Sequence, residues 1–372
     1  MAGATTRAWR APGRVNLIGD HTDYAEGFCL PMAIDRECVV ATTPGTHHTV
    51  RARSHELEGQ VVCRADGGDD PRSIEPRWGG FVVGAIQALA ERRAAVPAVD
   101  LTVSSSVPVG SGLSSSSALS VGLVFALADA AGLDLDRDEI ARTALDAEVR
   151  ATGVPGGLMD QLTAVHGVAG HALLIDCRDL VVEPIPLPEV IRVLVAHSGV
   201  PRTLAGSAYA ERRAATERAA ARLGLGSLRD ATLEQVHDDR RARHVVSENA
   251  RVVDFARAMR TGDVTALGPL LLASHASLRD DFDVSTPELD ALVDAFMDAG
   301  ATGARLTGAG FGGCVVALST RDDADAVMLR AVDGYRTRTG REAAPFAVEA
   351  VDGAGPTSSR GGRPSSSRTR RA

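Results

Sequence analysis

The stretch VPVGSGLSSSSAL, residues 107–119, combines the end of a predicted strand, a glycine-rich turn and the start of a predicted helix. Gly110 and Gly112 permit tight backbone geometry and the close approach of a ligand. The serines that follow begin a helix whose first amides have no intrahelical partner and whose dipole favours an anion. The pattern predicts a phosphate-binding loop. A serine-capped helix after a glycine turn is the alternative, since a GxG match alone is weak evidence.

Two common nucleotide-binding loops do not fit this chain. A Rossmann turn needs a third glycine, but Ser115 stands in its place, and no strand-end acid follows at the required distance. Walker loops and protein-kinase sites use a lysine, but all 40 basic residues of this chain are arginine. Any bound phosphate would therefore be neutralised by backbone amides, a helix dipole, a metal ion and arginine.

A second polar stretch, GRVNLIGDHTDY at residues 13–24, surrounds a short apolar strand with polar side chains. So many polar groups beside a buried strand are costly unless they meet a ligand. Asp20, His21 and Asp23 could bind vicinal hydroxyl groups, and Arg14 could pair with a phosphate. The alternative is a polar turn whose side chains satisfy one another.

Strand-rich and helix-rich stretches alternate along the chain without a regular βαβ period, which predicts an α+β fold. A length of 372 residues favours one large or two medium domains. The proline-spaced piece EPIPLPEV, residues 183–190, is the predicted boundary between them. Residues 353–372 carry five arginines and no acid among Gly, Ser and Pro, and they are predicted to form a disordered basic tail.

Composition argues against several classes of protein. The net charge of −8 disfavours nucleic acid as a partner, since phosphate backbones need a basic surface. The five cysteines show no CxxC spacing, so disulfide frameworks and zinc clusters are not expected. The longest apolar helix candidate is too short to span a bilayer, and the N-terminus has no signal-peptide core. We therefore expect a cytoplasmic protein, with no membrane or nucleic-acid partner, that acts as a monomer.

Four motifs, in order along residues 7–352, resemble those of the GHMP small-molecule kinases. GRVNLIGDHTDY is similar to the galactokinase signature, VPVGSGLSSSSAL to the family's second motif and LTGAGFGGC, residues 306–314, to its third. GGLMDQL, residues 156–162, resembles the stretch that carries the catalytic aspartate. The resemblance implies a ribosomal-protein-S5-domain-2-like N-terminal domain over residues 1–188 and a ferredoxin-like C-terminal domain over residues 189–352. It also implies an active site between them.

The resemblance also implies ATP as co-substrate, Mg²⁺ as cofactor and phosphorylation of the C1 hydroxyl of D-galactose. Asp160 matches the general base, and Arg14 matches the residue that holds it ionised and stabilises the transferring phosphoryl group. The positions that match the sugar site are Asp20, His21, Thr22, Asp23, Gly157 and Tyr209. The positions that match the ATP site are Gly110, Ser111, Gly112, Leu113, Ser114, Ser115, Ser116 and Trp78. Ser116 and Glu148 match the magnesium ligands. Trp78 and Tyr209 are equally compatible with plain packing.

One position departs from the family pattern. Most galactokinases carry glutamate where this chain has Asp20, at the C6 end of the sugar. A side chain shorter by one methylene can break or re-aim a direct hydrogen bond, which leaves L-arabinose and N-acetylgalactosamine open as alternative substrates. A non-catalytic sugar sensor is a third alternative, but Ser117, Ala118, Asp160 and Arg14 are all present, which favours an enzyme.

Overall fold

The computed structural model describes residues 6–45, 48–92, 95–201 and 205–357. The strands of this part of the chain are β1 Arg7–Asn16, β2 Phe28–Cys29, β3 Pro31–Pro44, β4 Thr49–Ser54, β5 Gln60–Arg64, β6 Val99–Ser105, β7 His171–Asp176, β8 Val181–Pro186, β9 Ile191–His197, β10 Gly303–Thr307, β11 Cys314–Thr320, β12 Ala344–Val348 and β13 Gly355–Pro356. The α-helices are α1 Gly79–Ala90, α2 Ser115–Ala130, α3 Arg137–Thr152, α4 Met159–His166, α5 Ala205–Arg222, α6 Arg240–Thr261, α7 Val264–Ser277, α8 Pro287–Asp298 and α9 Ala324–Thr339.

The N-terminal half is built on a six-stranded sheet in the order β13-β1-β3-β6-β4-β5. Its pairs are antiparallel except for β4 with β6, which run parallel. Helix α2 packs on β1 and β3, and α1 and α3 pack against each other and against α2. Since α2 is apolar along most of its length, it is buried on nearly all sides, and only its serine-rich N-terminus faces a cavity.

The C-terminal half contains a four-stranded antiparallel sheet in the order β10-β11-β9-β12. Helices α5 to α8 connect β9 to β10, and α9 connects β11 to β12. This βαββαβ arrangement, with the first and third strands adjacent in the middle, is the ferredoxin-like topology, so the predicted α+β fold class is confirmed. A small third sheet, β2-β7-β8, lies with the N-terminal half.

The connection between β8 and β9 lies within the predicted boundary of residues 183–190. The apolar core, however, continues across it. Val193 of β9, Val316 of β11 and Phe255 of α6 belong to the same buried cluster as Val15 of β1. The division at residue 188 stays a prediction, and the two halves share packing on either side of it.

The predicted basic tail begins too early. Gly355 and Pro356 pair with β1 as strand β13, the amide of Thr357 donates to the carbonyl of Ala8, and Ala354 is buried. Residues 353–357 therefore belong to the fold, because the edge of β1 offers backbone groups that this segment satisfies. The rest of the predicted tail, residues 358–372, lies outside the described residues.

Another difference is local. Helix α4 was not predicted, and it carries the GGLMDQL motif into the cavity. Among the described residues, none of the helices is both long and apolar enough to cross a membrane.

Candidate active site

A cavity of about 480 Å³ lies where the phosphate loop, α3, α4, the N-terminal polar stretch and the loop after β10 meet. Thirteen of the predicted site residues line it: Arg14, Asp20, His21, Asp23, Gly110, Gly112, Ser114, Ser115, Ser116, Glu148, Gly157, Asp160 and Tyr209. The sequence separated these residues by up to two hundred positions, and the fold brings them to one concave surface.

At the centre of the cavity, Arg14 and Asp160 form a bidentate ion pair. Nε of Arg14 lies 2.8 Å from Oδ1 of Asp160, and Nη2 lies 3.0 Å from Oδ2. Nη1 of Arg14 donates to the carbonyl of Gly112 at 2.5 Å, which fixes the guanidinium against the phosphate loop. The hydroxyl of Ser114 donates to Oδ2 of Asp160 at 2.5 Å. These donors orient the carboxylate, and about a quarter of its side chain is still accessible from the cavity.

The phosphate loop has the backbone that the sequence predicts. Gly110 and Gly112 have φ of 72° and 86°, and Ser114 precedes α2 in the left-handed region with φ of 59°. No side chain caps the first turn of α2. Its free amides therefore face the cavity, and together with the helix dipole they form an anion-binding surface.

Beside this helix end, Glu148 of α3 is hydrogen-bonded by three side chains. Oε2 accepts from Ser117 Oγ at 2.9 Å and from Gln161 Nε2 at 2.8 Å, and Ser116 also bonds the carboxylate. Burial raises the pKa of Glu148, which the Ser116 hydrogen bond opposes. A carboxylate beside serine hydroxyls is an oxygen donor set that suits Mg²⁺, which binds through one or two such ligands plus substrate phosphates. Glu148 and Ser116 therefore fit the predicted metal position.

On the opposite side of Asp160, Asp23 faces Gly157. A Cβ atom at Gly157 would overlap the Asp23 carboxylate, so a larger residue at this position would have to displace that side chain. Burial raises the pKa of Asp23 to about 6, and the nearby Asp160 carboxylate adds to the shift. Tyr209 of α5 closes this side, with its ring 5.6 Å from the rings of both His21 and Tyr24.

His21 is fixed in one tautomer by its neighbours. Its Nε2 lies 3.3 Å from the carbonyl oxygen of Ala309, which can only accept, so Nε2 carries the proton. Nδ1 then accepts from the Tyr24 hydroxyl at 3.0 Å. Burial lowers the pKa of His21 to about 3, and the neighbouring His244 contributes to the shift. The imidazole that faces the cavity is therefore neutral at physiological pH.

Asp20 is bound mainly by protein groups. It forms a fully buried ion pair with Arg305 of β10, through Nη2 and Oδ2, and its Oδ1 accepts from the amide of Gly308 at 3.1 Å. Asp20 still lines the cavity, but both of its oxygens are already hydrogen-bonded. The shorter side chain is thus drawn towards β10, a partner that the sequence interpretation did not include.

Four predicted residues do not line the cavity. The Thr22 hydroxyl donates to the carbonyls of Gly19 and Phe28 and stabilises the turn instead. Ser111 donates to the carbonyl of Pro108. Leu113 is completely buried in the core, although its carbonyl accepts from the amide of Arg14 at 3.1 Å. Trp78 precedes α1 and belongs to the apolar core, which agrees with the packing interpretation of this residue.

Gln161 and Arg305 were missed at the site, and Ser117 was named only among the residues that favour an enzyme. Ser117 and Gln161 hold Glu148, and Arg305 holds Asp20. Two signals in the sequence point to missed residues. Gln161 directly follows Asp160, and Arg305 is a charged residue inside the apolar strand ARLT. The third motif contains the glycine loop of residues 308–313, whose first two residues line the cavity. Its Gly308 and Ala309 bond to Asp20 and His21, so the loop also supports the polar N-terminal stretch.

Family models match three parts of the chain. The GHMP kinases N terminal domain matches residues 80–168, the GHMP kinases C terminal domain matches residues 255–336, and the galactokinase galactose-binding signature matches residues 2–44. Together with the lysine-free phosphate loop and the Arg14–Asp160 pair, these matches define the chain as a GHMP-type small-molecule kinase.

Relatives that match over nearly the whole chain show which family within this class of kinases the chain belongs to. The galactokinase of Chloroflexus aurantiacus is 44% identical over 94% of this chain and 93% of its own length. That of Roseiflexus sp. is 42% identical over 93% and 92%. The crystal structure of Lactococcus lactis galactokinase complexed with galactose superposes with a TM-score of 0.89 at 30% identity, over 94% of this chain and 95% of that chain. The chain belongs to the galactokinase family.

Proposed function

We propose that this enzyme transfers the γ-phosphoryl group of ATP to the anomeric hydroxyl of D-galactose, giving galactose 1-phosphate. The observation that carries the proposal is the position of Asp160. It lies in the cavity between the amide-rich start of α2 and the polar stretch of residues 20–23. A hydroxyl group bound there would meet a carboxylate that can take its proton and a helix N-terminus that binds the phosphate.

In this mechanism the residues position groups and neutralise charge rather than form covalent intermediates. Asp160 accepts the proton of the sugar hydroxyl as the new bond forms, and Arg14, which pairs with Asp160, faces the transferring group. The amides of α2 bind the phosphates. Glu148 and Ser116 would hold Mg²⁺, which when bound neutralises phosphate charge. Asp23, His21 and Tyr209 would orient the sugar.

The choice of sugar is tested with a panel of substrates. ADP formation is coupled to NADH oxidation, with D-galactose, L-arabinose, N-acetylgalactosamine and D-glucose as acceptors. We expect the highest kcat/KM with D-galactose. A higher kcat/KM with L-arabinose or N-acetylgalactosamine would overturn the galactose assignment. If no sugar gave ADP, the proposed sugar kinase activity would be overturned.

The same panel repeated with Asp20→Glu measures how the shorter side chain of Asp20 affects the choice of sugar. Because Asp20 is paired with the buried Arg305, a carboxylate longer by one methylene must change that contact, so the ratio of kcat/KM between D-galactose and L-arabinose should change. The expectations that the enzyme is monomeric and cytoplasmic, and that it has no nucleic-acid or membrane partner, stay predictions.

A further inference from the structure

The polar turn of residues 16–21, which we call the sugar turn, belongs to the N-terminal half but is hydrogen-bonded along its length to the C-terminal sheet. Five bonds from β10 and the loop after it reach the turn. They are Thr307 Oγ1 to the Asn16 carbonyl at 2.8 Å, Arg305 Nη1 to the Leu17 carbonyl at 3.0 Å, Arg305 Nη2 to Asp20 Oδ2, the Gly308 amide to Asp20 Oδ1 at 3.1 Å, and His21 Nε2 to the Ala309 carbonyl at 3.3 Å.

Helix α6 contacts the same turn from another side. The buried carboxylate of Glu248 accepts from the Gly19 amide at 3.0 Å, and His244 Nε2 donates to the Asp20 carbonyl at 3.1 Å. Glu248 is itself paired with Arg251, at 2.6 Å between Oε2 and Nε. The sugar turn is thus enclosed by groups from the C-terminal half.

The turn needs such support because its backbone is unfavourable. Gly19 has φ of 95°, and His21, which is not glycine, has φ of 64°. A residue other than glycine is strained in the left-handed region. His21 faces the cavity in this conformation, so whatever holds its neighbours also sets the direction of its ring.

Arg305 makes the strongest of these contacts. It is completely buried, it bonds both the backbone and the side chain of the turn, and its Asp20 partner is only 3% exposed. The charges of this region balance in pairs, Asp20 with Arg305 and Glu248 with Arg251. Removing one member leaves a buried charge without its partner, which the surrounding apolar core cannot solvate.

We propose that Arg305 is a positioning residue for sugar binding. By tying Leu17 and Asp20 to β10, it fixes the sugar turn so that Asp20 and His21 line the cavity, without contributing to the phosphate loop. The inference rests on the proposed function. It predicts that loss of Arg305 weakens the binding of sugar and leaves the binding of ATP nearly unchanged.

The test uses the variants Arg305→Met and Arg305→Lys in the full chain, with Arg330→Met as the matched control. Within the part of the chain that the structure describes, Arg330 donates to the Ala299 carbonyl in the C-terminal half and does not line the cavity. We expect the KM for galactose to rise about tenfold or more in Arg305→Met, with the KM for ATP within about twofold. Arg305→Lys keeps the charge but has a single ammonium group in place of the two guanidinium nitrogens that bond the turn. Its KM for galactose should therefore lie between those of the wild type and Arg305→Met. The control should match the wild type.

Calorimetric titration with galactose measures the same effect without turnover. The double variant Asp20→Asn with Arg305→Met should bind galactose no more weakly than Arg305→Met alone, since the two residues act as a unit. If Arg305→Met does not fold, Arg305→Lys and Thr307→Val, which removes one bond to the turn, are compared instead.

Folded Arg305 variants with a galactose affinity within twofold of the wild type would overturn the inference. An equal loss of galactose and ATP affinity would also overturn it, because it would indicate a general structural role. If the wild-type enzyme binds galactose but does not phosphorylate it, the proposed function fails, and the calorimetric comparison still decides the role of Arg305.

Discussion

At the scale of single residues, Asp160 receives three hydrogen bonds, two from Arg14 and one from Ser114, and still faces the cavity. These donors fix the orientation of the carboxylate. They also explain why Arg14 is buried although it is charged. The proton acceptor and its cation come from α4 and β1, two elements far apart in the sequence.

Asp160→Asn removes the proton acceptor while keeping the shape of the side chain. We expect kcat to fall by about 10²–10⁴-fold, because an amide cannot take the proton of the sugar hydroxyl. ATP binding should stay within about twofold, since the amides of α2 are untouched. Coupled ADP detection and titration with ATP measure the two effects, and Asp322→Asn, at an exposed position, is the control. Wild-type-like turnover would refute the role of Asp160.

The raised pKa of Asp23 predicts that kcat/KM for galactose depends on pH. Its pKa is raised to about 6, chiefly by burial, so below this pH the free enzyme carries a neutral acid at this position. If the ionised carboxylate accepts hydrogen bonds from sugar hydroxyls, kcat/KM for galactose should rise as the pH increases through about 6. The profile of kcat/KM reports groups of the free enzyme. Asp23→Asn should lack this inflection, and a flat wild-type profile between pH 5.5 and 6.5 would argue against the role.

At the scale of elements, the start of α4 brings Gly157 against Asp23. Gly157→Ala would place a methyl group inside the Asp23 carboxylate and displace it from the cavity. We expect the KM for galactose to rise about tenfold with little change in melting temperature, since the position borders the cavity.

The neighbouring glycine offers a matched control for this prediction. A Cβ atom at Gly156 would lie 3.6 Å from Leu145 Cδ1, an ordinary van der Waals distance, so Gly156→Ala should behave like the wild type. Equal kinetics for the two variants would mean that the contact between Gly157 and Asp23 does not matter for sugar binding.

Elements whose residues are adjacent in sequence were predicted well. The glycines and serines of residues 107–119 specify their turn and helix locally. Helix α4 was missed because it is only eight residues long, too short for its periodicity to be distinct from a loop.

Contacts between distant segments could not be predicted. The pairing of Asp20 with Arg305 depends on how β10 packs beside the sugar turn, and sequence spacing carries no information about that packing. The same holds for β13, since its two residues form a strand only because β1 offers a free edge. Trp78, which the resemblance assigns to the nucleotide site, belongs to the apolar core, and its assignment stays a prediction.

At the scale of the whole molecule, two buried neutral histidines link stability to pH. Burial lowers the pKa of His21 to about 3 and that of His244 to about 4. The unfolded chain binds these protons near pH 6.5, whereas the folded protein does not. The contribution of the two neutral histidines to stability is therefore fully present above that pH and is lost as the pH falls towards 4.

Asp23 opposes this effect, since its pKa is raised on folding. The net loss of unfolding free energy between pH 7 and pH 5 should be about 2 kcal/mol. Urea denaturation at the two pH values measures it, and His244→Gln should reduce the difference. Equal or greater stability at pH 5 would contradict the account of these histidines.

The central claim is that the cavity beside Asp160 directs phosphate to the anomeric oxygen of galactose. Proton-coupled ³¹P NMR of the product, formed from ATP and D-galactose, tests it most directly. We expect a sugar phosphate doublet, from coupling to the single anomeric proton, in a product that no longer reduces alkaline copper. A triplet, from phosphate on a CH₂ group, or a product that still reduces copper would contradict the claim.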